Sequence, residues 1–285
     1  MIRKIGAISI IIVLFFLSAA QAKNELEENP YGTGNSPDID LFIANWQESM
    51  PFVSYGALVE RDIFTRCSGD IMTPTAKGAV LKYINRFTHA SLYGHNSTTL
   101  SALKDEQEIF FILSGKGTIK AGAKSADLYE GISILLPPGL SFTMTNSGEE
   151  PLTLFLISEP LPEGFSPKKE MTVKDENVLP IPTNTGHWTH IFRRIFAKDD
   201  GLATIHQIGT VMFDPMTIGQ PHSHDAGIEE IWVAIKGDIT CLLGKELHKL
   251  PPGSAYMIPP DGKTPHSTIN MSDKTVKLLY FGVYK

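Results

Sequence analysis

Residues 230–244 read EIWVAIKGDITCLLG, and residues 108–122 read EIFFILSGKGTIKAG. Each stretch joins an apolar run of strand length to a second run through a glycine-containing turn, a pattern typical of β-structure. Further along, GSAYMIPPDG from Gly253 matches GISILLPPG from Gly131. A repeat of this length predicts two copies of one β-domain.

The rest of the chain also favours an all-β architecture. From about Phe52 onward, short strand patterns end at Gly, Pro or Asn, and no helix-period stretch is long enough for a βαβ unit. Residues 39–50, IDLFIANWQESM, predict one short amphipathic helix, and the polar residues before it predict a flexible mature N-terminus. We therefore predict a signal peptide over 1–22, an arm with the short helix over 23–51, an N-terminal β-domain over 52–165, a linker over 166–182 and a C-terminal β-domain over 183–285.

The first 22 residues have the three-part layout of a secretory signal. Arg3 and Lys4 precede an apolar run over residues 5–17, and the small-residue triplet Ala-Gln-Ala ends at Ala22. The apolar run is shorter than the roughly 20 residues that a membrane anchor needs. We therefore predict cleavage after Ala22 and a secreted or periplasmic protein with no membrane anchor after cleavage.

Charge and cysteine content narrow the possible partners. The chain carries a net charge of −6, and its basic residues are not clustered, which argues against nucleic acid and anionic membranes as partners.

Cys67 and Cys241 are the only cysteines. They could pair in an oxidising compartment, but Cys241 lies in the apolar strand pattern DITCLLG, so we favour a packed, unpaired thiol there.

Four residues of metal-ligand type lie in the second copy: His222, His224, Glu230 and His266. Histidines at positions i and i+2 of an extended segment face the same side. A carboxylate that opens the next strand and a histidine after a Pro/Gly turn can complete the site. Three neutral imidazoles and one carboxylate suit Mn, Fe, Co, Ni, Cu or Zn. Glu229 stays open as a rival carboxylate ligand.

These residues resemble the two motifs of the cupin superfamily, and the repeat resembles its two-domain members, the bicupins. The spacing departs from the family pattern at two places in the first motif, with two residues between Gly219 and His222 and five between His224 and Glu230. The resemblance implies tandem double-stranded β-helix (jelly-roll) barrels over roughly residues 52–285. The matching positions are Gly219, His222, His224, Glu230 and Gly237 in motif one, and Pro260, Gly262, His266 and Asn270 in motif two.

The first copy keeps the strand pattern without the ligands. When Glu108 is aligned with Glu230, Ser and Thr residues stand where the second copy has its histidine pair, and Phe142 replaces His266. His89 or His95 would reach Glu108 only if the intervening loop folded back. We therefore predict a metal-free N-terminal cupin.

Together with the predicted signal peptide, the resemblance implies an exported metalloenzyme with one site in the C-terminal cupin. Its substrate would be a small carboxylate, sugar-derived or aromatic molecule, and its reaction of the dioxygenase, decarboxylase, isomerase or aminohydrolase type. Mn or Fe is the first expectation for the metal, with Zn, Ni, Co and Cu as alternatives. The alternative function is a non-enzymatic ligand-binding or storage protein, similar to the seed globulins. The resemblance also allows a homodimer through sheet edges.

Three further residues are candidates for catalysis. Glu229, next to Glu230 on a strand, should point out of the barrel, which favours an interface role over general-base work. Arg193, together with Arg194, could clamp a substrate carboxylate, or could lie on a solvated face. Tyr256 could donate a proton near the metal, or simply pack as an aromatic.

Overall fold

Alternating apolar runs punctuated by Gly and Pro fold into antiparallel β-strands in the computed structural model, which describes residues 37–284. The predicted signal peptide and the polar residues up to position 36 lie outside the described residues. Within the described part, no helix is long and apolar enough to cross a membrane.

The strands follow one another along the chain with few helical turns between them. The 3-10 helices span Ile39–Phe42, Trp46–Glu48, Glu176–Val178 and Lys198–Asp200. The first eleven strands are β1 (Ile43–Asn45), β2 (Pro51–Ser54), β3 (Leu58–Thr65), β4 (Arg86–Leu92), β5 (Glu106–Ser114), β6 (Gly117–Ala121), β7 (Lys124–Leu128), β8 (Ile132–Leu136), β9 (Phe142–Asn146), β10 (Leu152–Pro160) and β11 (Thr172–Asp175). The others are β12 (Ile191–Ala197), β13 (Gln207–Phe213), β14 (Thr217–Ile218), β15 (Glu229–Lys236), β16 (Ile239–Leu243), β17 (Glu246–Leu250), β18 (Ser254–Ile258), β19 (His266–Asn270) and β20 (Val276–Val283).

Each half of the chain builds a large and a small sheet with the same strand order. In the first half, β8-β5-β10-β4-β3 forms the body of the large sheet, and β7-β6-β9 forms the small one. In the second half, β18-β15-β20-β13-β12 and β19-β16-β17 repeat that arrangement. Apolar side chains from both sheets bury one another, as Phe110 and Ile119 do in the first half. The predicted all-β fold of two jelly-roll barrels is confirmed.

The strand pairing in the two large sheets is equivalent, so single residues of one half can be compared with those of the other. In the first half, Arg86, Ser158, Glu108 and Leu136 pair side by side across β4, β10, β5 and β8; we call this the Glu108 row. In the second half, Gln207, Gly282, Glu230 and Ile258 pair across β13, β20, β15 and β18; we call this the Glu230 row. The alignment of Glu108 with Glu230 therefore holds in three dimensions.

The two halves exchange their leading strands. The predicted helix over residues 39–50 is wrong: two 3-10 helices flank β1, which pairs with β18 of the second half. Reciprocally, β11 lies in the predicted linker but pairs with β8 of the first half. Both exchanges have the same physical cause, since each supplies hydrogen-bond partners to an otherwise open sheet edge.

The outer faces of the two large sheets pack against each other. Phe87 of β4 meets Phe281 of β20 with their ring centroids 5.0 Å apart, and both rings are fully buried. Two buried carboxylates reinforce this apolar contact, because each accepts hydrogen bonds from three successive backbone N–H groups of the other half. Glu229 binds residues 82–84, and Glu159 binds residues 203–205, over distances of 2.6–3.2 Å.

Both cysteines are free thiols. Cys241 is fully buried in β16, where burial raises the pKa of its thiol well above the ordinary value. The packed position predicted for Cys241 is thus confirmed.

Candidate metal centre

Three imidazoles converge inside the second barrel. His222 and His224 lie in the extended segment that leads into β15, and His266 opens β19. The backbones of His222 and His266 pair with each other through N–H···O distances of 3.2 and 2.8 Å, which fixes the two strands side by side. One ring nitrogen from each of the three histidines lies within 4.8 Å of the others. This spacing leaves room for one ion at their centre.

The turn before His266 is held by side-chain and backbone geometry. The carboxylate of Asp261 accepts hydrogen bonds from the backbone N–H groups of Lys263 and Thr264, both at 2.8 Å. Gly262 has a φ of +74°, and a Cβ atom there would lie 2.8 Å from the backbone nitrogen of Ala226. A glycine is required because the loop that follows the histidine pair packs directly against this turn.

Glu230 is the carboxylate that faces the histidines. Its oxygens lie 3.0 Å from Nε2 of His224 and 3.2 Å from Nε2 of His266. The indole N–H of Trp232 and the hydroxyl of Tyr284 donate to it at 2.7 and 2.8 Å. Burial opposes ionisation, but the adjacent imidazoles of His224 and His266 hold the pKa of Glu230 well below its ordinary value. The carboxylate is therefore a fixed negative charge.

Several buried nitrogens of this cluster lack a hydrogen-bond partner. They are Nε2 of His224 and both ring nitrogens of His266. The two Nε2 atoms lie near Glu230 but not in hydrogen-bond geometry. Nδ1 of His222 bonds the backbone oxygen of Gln220 at 2.8 Å, which leaves its Nε2 available as a ligand. Buried polar atoms without partners are uncommon. Together with the fixed carboxylate, they fit a divalent transition metal.

A cavity of about 280 Å³ opens onto the cluster. It is bounded by aromatic rings, by imidazoles and by one guanidinium, and Glu230 is the one carboxylate among its lining residues within residues 37–284. The lining residues are Gly186, His187, His190, Phe192, Arg194, Gln207, Val211, His222, His224, Glu230, Trp232, Tyr280 and Tyr284.

Two further histidines support the site without facing the three converging nitrogens. His187 stacks on His222 with ring centroids 4.4 Å apart and an interplanar angle of 7°. His190 meets the edge of Trp232 at 5.5 Å. Burial, reinforced by His187, lowers the pKa of His190 to about 3. His190 is therefore neutral and packs as an aromatic ring that helps fix the cavity wall.

The structure places the three predicted catalytic candidates outside the cavity. Glu229 lies on the outer face of β15, as its position beside Glu230 predicts, and is bound by the backbone of the first half. Arg193 also points outward, because side chains alternate along β12, and it donates to the backbone oxygen of Glu176 at 3.3 Å. Of the two roles considered for Arg193, the geometry favours the outward-facing one, and its neighbour Arg194 lines the cavity instead.

Tyr256 lies inside the barrel but does not reach the cavity. Its hydroxyl is 2.8 Å from the hydroxyl of Thr268, and its ring stacks parallel to Trp232. Burial raises the pKa of Tyr256 well above its ordinary value. Of the two roles considered for this residue, the geometry favours the packed aromatic.

Sequence reasoning missed four residues around Glu230: Gln207, Trp232, Tyr280 and Tyr284. One of them could have been found, because Trp232 stands two residues after Glu230 on the same strand and must share its face. The other three enter from strands whose pairing with β15 is decided only by the tertiary fold.

The Glu108 row of the first barrel contains an arginine where the second contains Gln207. The guanidinium of Arg86 contacts three carboxylates: Glu108 closely, Glu106 at 3.2 Å and Glu60 at 3.8 Å. Tyr55 donates a further hydrogen bond of 2.7 Å to Glu108. A protein cation therefore stands beside the carboxylate that corresponds to Glu230.

The two histidines considered for the first barrel do not approach Glu108. His89 stacks on Trp46 at 4.2 Å between ring centroids, on the other face of the sheet. His95 is exposed and contacts Glu149 at 2.9 Å.

Comparisons with known proteins agree with this architecture. The family model for the Cupin domain matches residues 95–158 and 209–282, one segment in each barrel. A search of curated protein sequences found no match. Among solved structures, protein Ylba from E. coli is 13% identical with a TM-score of 0.64, covering 88% of this chain and 95% of its own.

Two other solved structures show how widely this fold is used. Oxalate decarboxylase from Bacillus subtilis, described with Mn(II) centres, is 10% identical with a TM-score of 0.64, covering 89% of this chain and 79% of its own. Vicilin from hazelnut, Corylus avellana, is 12% identical with a TM-score of 0.63, covering 85% of each chain. Identities this low show the fold alone. With one cupin segment matched in each of two barrels, the chain belongs to the cupin superfamily as a two-domain member, a bicupin.

Proposed function

We propose that this bicupin is a metal-dependent enzyme with one active site, in its second barrel. The proposal rests on one observation: three imidazoles bring ring nitrogens within 4.8 Å of one another at a small cavity, and buried nitrogens among them lack partners. His222, His224, His266 and Glu230 would hold a divalent ion, which supplies Lewis-acid or redox chemistry when bound.

The other residues of the cavity have defined tasks in this proposal. Trp232 and Tyr284 donate hydrogen bonds to Glu230 and so fix the direction of its oxygens. Phe192 and Val211 contribute apolar wall, which excludes water and strengthens electrostatic interactions at the site. The chain thus presents a pocket in which the carboxylate of Glu230 is already oriented before any substrate enters.

The size of the cavity supports a small substrate. A volume of about 280 Å³ is at the lower end of ligand sites in proteins. We propose a small carboxylate, sugar-derived or aromatic molecule, in a reaction of the dioxygenase, decarboxylase, isomerase or aminohydrolase type. Mn or Fe is the proposed metal, and the Mn(II) centres described for the structurally similar oxalate decarboxylase support Mn.

Elemental analysis of the purified chain tests the metal, and a substrate panel for the four reaction types tests catalysis. We expect about one ion per chain in the wild type. The His224→Ala variant should lose the ion and any activity while remaining folded, because a β-core of this size does not depend on one ion. His95→Ala is the matched control, since it removes an exposed imidazole from the first barrel.

A wild-type protein without metal, whose melting temperature a chelator leaves unchanged, would contradict the enzyme proposal. That result would support the non-enzymatic ligand-binding or storage function instead.

Export and self-association are separate proposals. Export rests on the composition of residues 1–22, and N-terminal sequencing of the mature protein should begin at Lys23. A homodimer would use an open sheet edge such as β2, where Phe52 and Val53 are exposed. Sedimentation analysis should then give twice the mass of one chain, and a monomer would refute the homodimer. A mature protein that starts at Met1 would refute export with cleavage.

A further inference from the structure

We propose that the ligand of the second barrel is a small carboxylate and that Arg194 is the residue that recognises it. This inference deepens, and rests on, the proposed function, because it names the substrate class of the same cavity. It adds a cation that lines the same cavity as a binding partner for the ligand.

The side chain of Arg194 lies on the face of β12 that lines the cavity. Arg194 pairs with Gly209 across β12 and β13, and side chains on β12 alternate between the two faces of the sheet. Phe192 and Arg194 accordingly line the cavity, whereas Arg193 points to Glu176 on the outer face. The position of Arg194 is set by sheet register rather than by a loop.

The guanidinium of Arg194 has no counter-ion in the described part of the chain. Among residues 37–284, no carboxylate pairs with the guanidinium of Arg194 and no carbonyl accepts a hydrogen bond from it. The acid that lines the cavity, Glu230, already accepts hydrogen bonds from Trp232 and Tyr284 and contacts His224. The planar donor fork of an arginine matches a carboxylate in bidentate geometry. The missing partner is therefore one that a ligand can supply.

The equivalent position in the first barrel carries the opposite charge. Asp62 pairs with Thr88 in the register in which Arg194 pairs with Gly209. The first barrel thus has an acid at this position and neutralises its carboxylates internally through Arg86. In the second barrel, the cavity instead presents an unpaired cation, which selects an anion.

The surroundings of Arg194 strengthen this selection. A Cβ atom at Gly209 would lie 2.3 Å from the ring of Phe192, so the glycine lets that ring lie against the sheet. The ring meets Tyr280 edge-on at 5.8 Å and gives the cavity an apolar floor. The Arg194 side chain is itself exposed, so a ligand in the cavity can reach its guanidinium, while the apolar ring offers that guanidinium no competing hydrogen bond.

Matched pairs of carboxylate and amide test the inference. Acetate, succinate and benzoate are compared with their neutral amides by calorimetric titration of the full chain, once loaded with Mn(II) and once treated with a chelator. We expect at least one carboxylate to bind about tenfold or more tighter than its amide. Arg194→Gln should weaken that carboxylate about 10- to 100-fold in both metal states and leave the amide unchanged.

Two variants complete the test. Arg194→Lys keeps the charge but loses the fork, so it should retain part of the preference. Arg193→Gln removes the same charge one residue away on the opposite face and should change binding less than about threefold. Equal losses in the Arg193→Gln and Arg194→Gln variants, or no carboxylate preference in the wild type, would overturn the inference.

The two metal states separate this inference from the proposed function. If the chain binds no metal but Arg194→Gln still weakens carboxylate binding, the inference stands and the enzyme proposal fails. If metal binds and the carboxylate affinity depends on His224 but not on Arg194, the inference fails and the enzyme proposal stands.

Discussion

The two barrels bury a glutamate at the same place in the same fold and neutralise it by different means. In the Glu108 row, the carboxylate meets the guanidinium of Arg86 and the hydroxyl of Tyr55. In the Glu230 row, the position of Arg86 is taken by Gln207, and the carboxylate meets two of the three converging histidines. Both carboxylates are almost completely inaccessible to solvent.

This difference shows what the position requires. A buried carboxylate is tolerated only when a cation or several donors compensate the loss of water. The first barrel carries its compensating cation in the chain, and burial also favours the protonated form of Glu108. The second barrel surrounds its carboxylate with imidazoles, and in our proposal a metal ion supplies the positive charge.

Removal of the internal cation should produce the largest effect. Arg86→Gln, which introduces the residue found at this position in the second barrel, leaves Glu108, Glu106 and Glu60 without their common partner. We expect a loss of about 3–5 kcal/mol in the free energy of unfolding, nearer the lower figure because 27% of the Arg86 side chain is exposed. Urea denaturation followed by fluorescence measures it.

Lys77→Gln is the control for that experiment. It also removes a cation from a pair, with Glu48, but both side chains are about half exposed, so the cost should stay below about 1 kcal/mol. Equal, small losses in the Arg86→Gln and Lys77→Gln variants would mean that the first barrel does not need its internal cation.

Paired substitutions of the two glutamates should separate their roles. Glu230→Gln weakens a metal ligand, so we expect the affinity for Mn(II) to fall by at least about 10- to 100-fold. Glu108→Gln, the equivalent change in the first barrel, should leave that affinity unchanged because its row lacks histidines. Calorimetric titration of both variants measures the difference, and an equal loss in both would place the metal elsewhere.

The sequence alone predicts much of this architecture because its signals are local. Glycines and prolines punctuate the apolar runs, so the strands and their repetition can be read directly. The HxH pair, Glu230 and His266 can be assigned to one site because a strand segment fixes which side chains share a face. The structure brings the three histidines together and places Glu230 beside two of them.

Features that depend on distant pairing could not be predicted. Arg86 meets Glu60 and Glu108 only after β3, β4 and β5 have paired. The segment around β1 has helix-like local composition, yet the free edge of β18 decides its conformation. Whether Arg193 or Arg194 faces the cavity depends on sheet register, which spacing in the sequence does not fix.

The stability of the first barrel should also depend on pH through Glu108. Burial, against the opposing pull of Arg86 and Tyr55, raises the pKa of Glu108 to about 8 from an ordinary value of 4.5. Between these values the folded chain keeps a proton that the unfolded chain has lost, so stability must fall as the pH rises through this range. Glu108→Gln cannot titrate and should lose less stability between about pH 5 and about pH 8, by up to about 1.4 kcal/mol per pH unit. Urea denaturation of both proteins across this range measures the two slopes, and parallel slopes would show that Arg86 keeps Glu108 ionised.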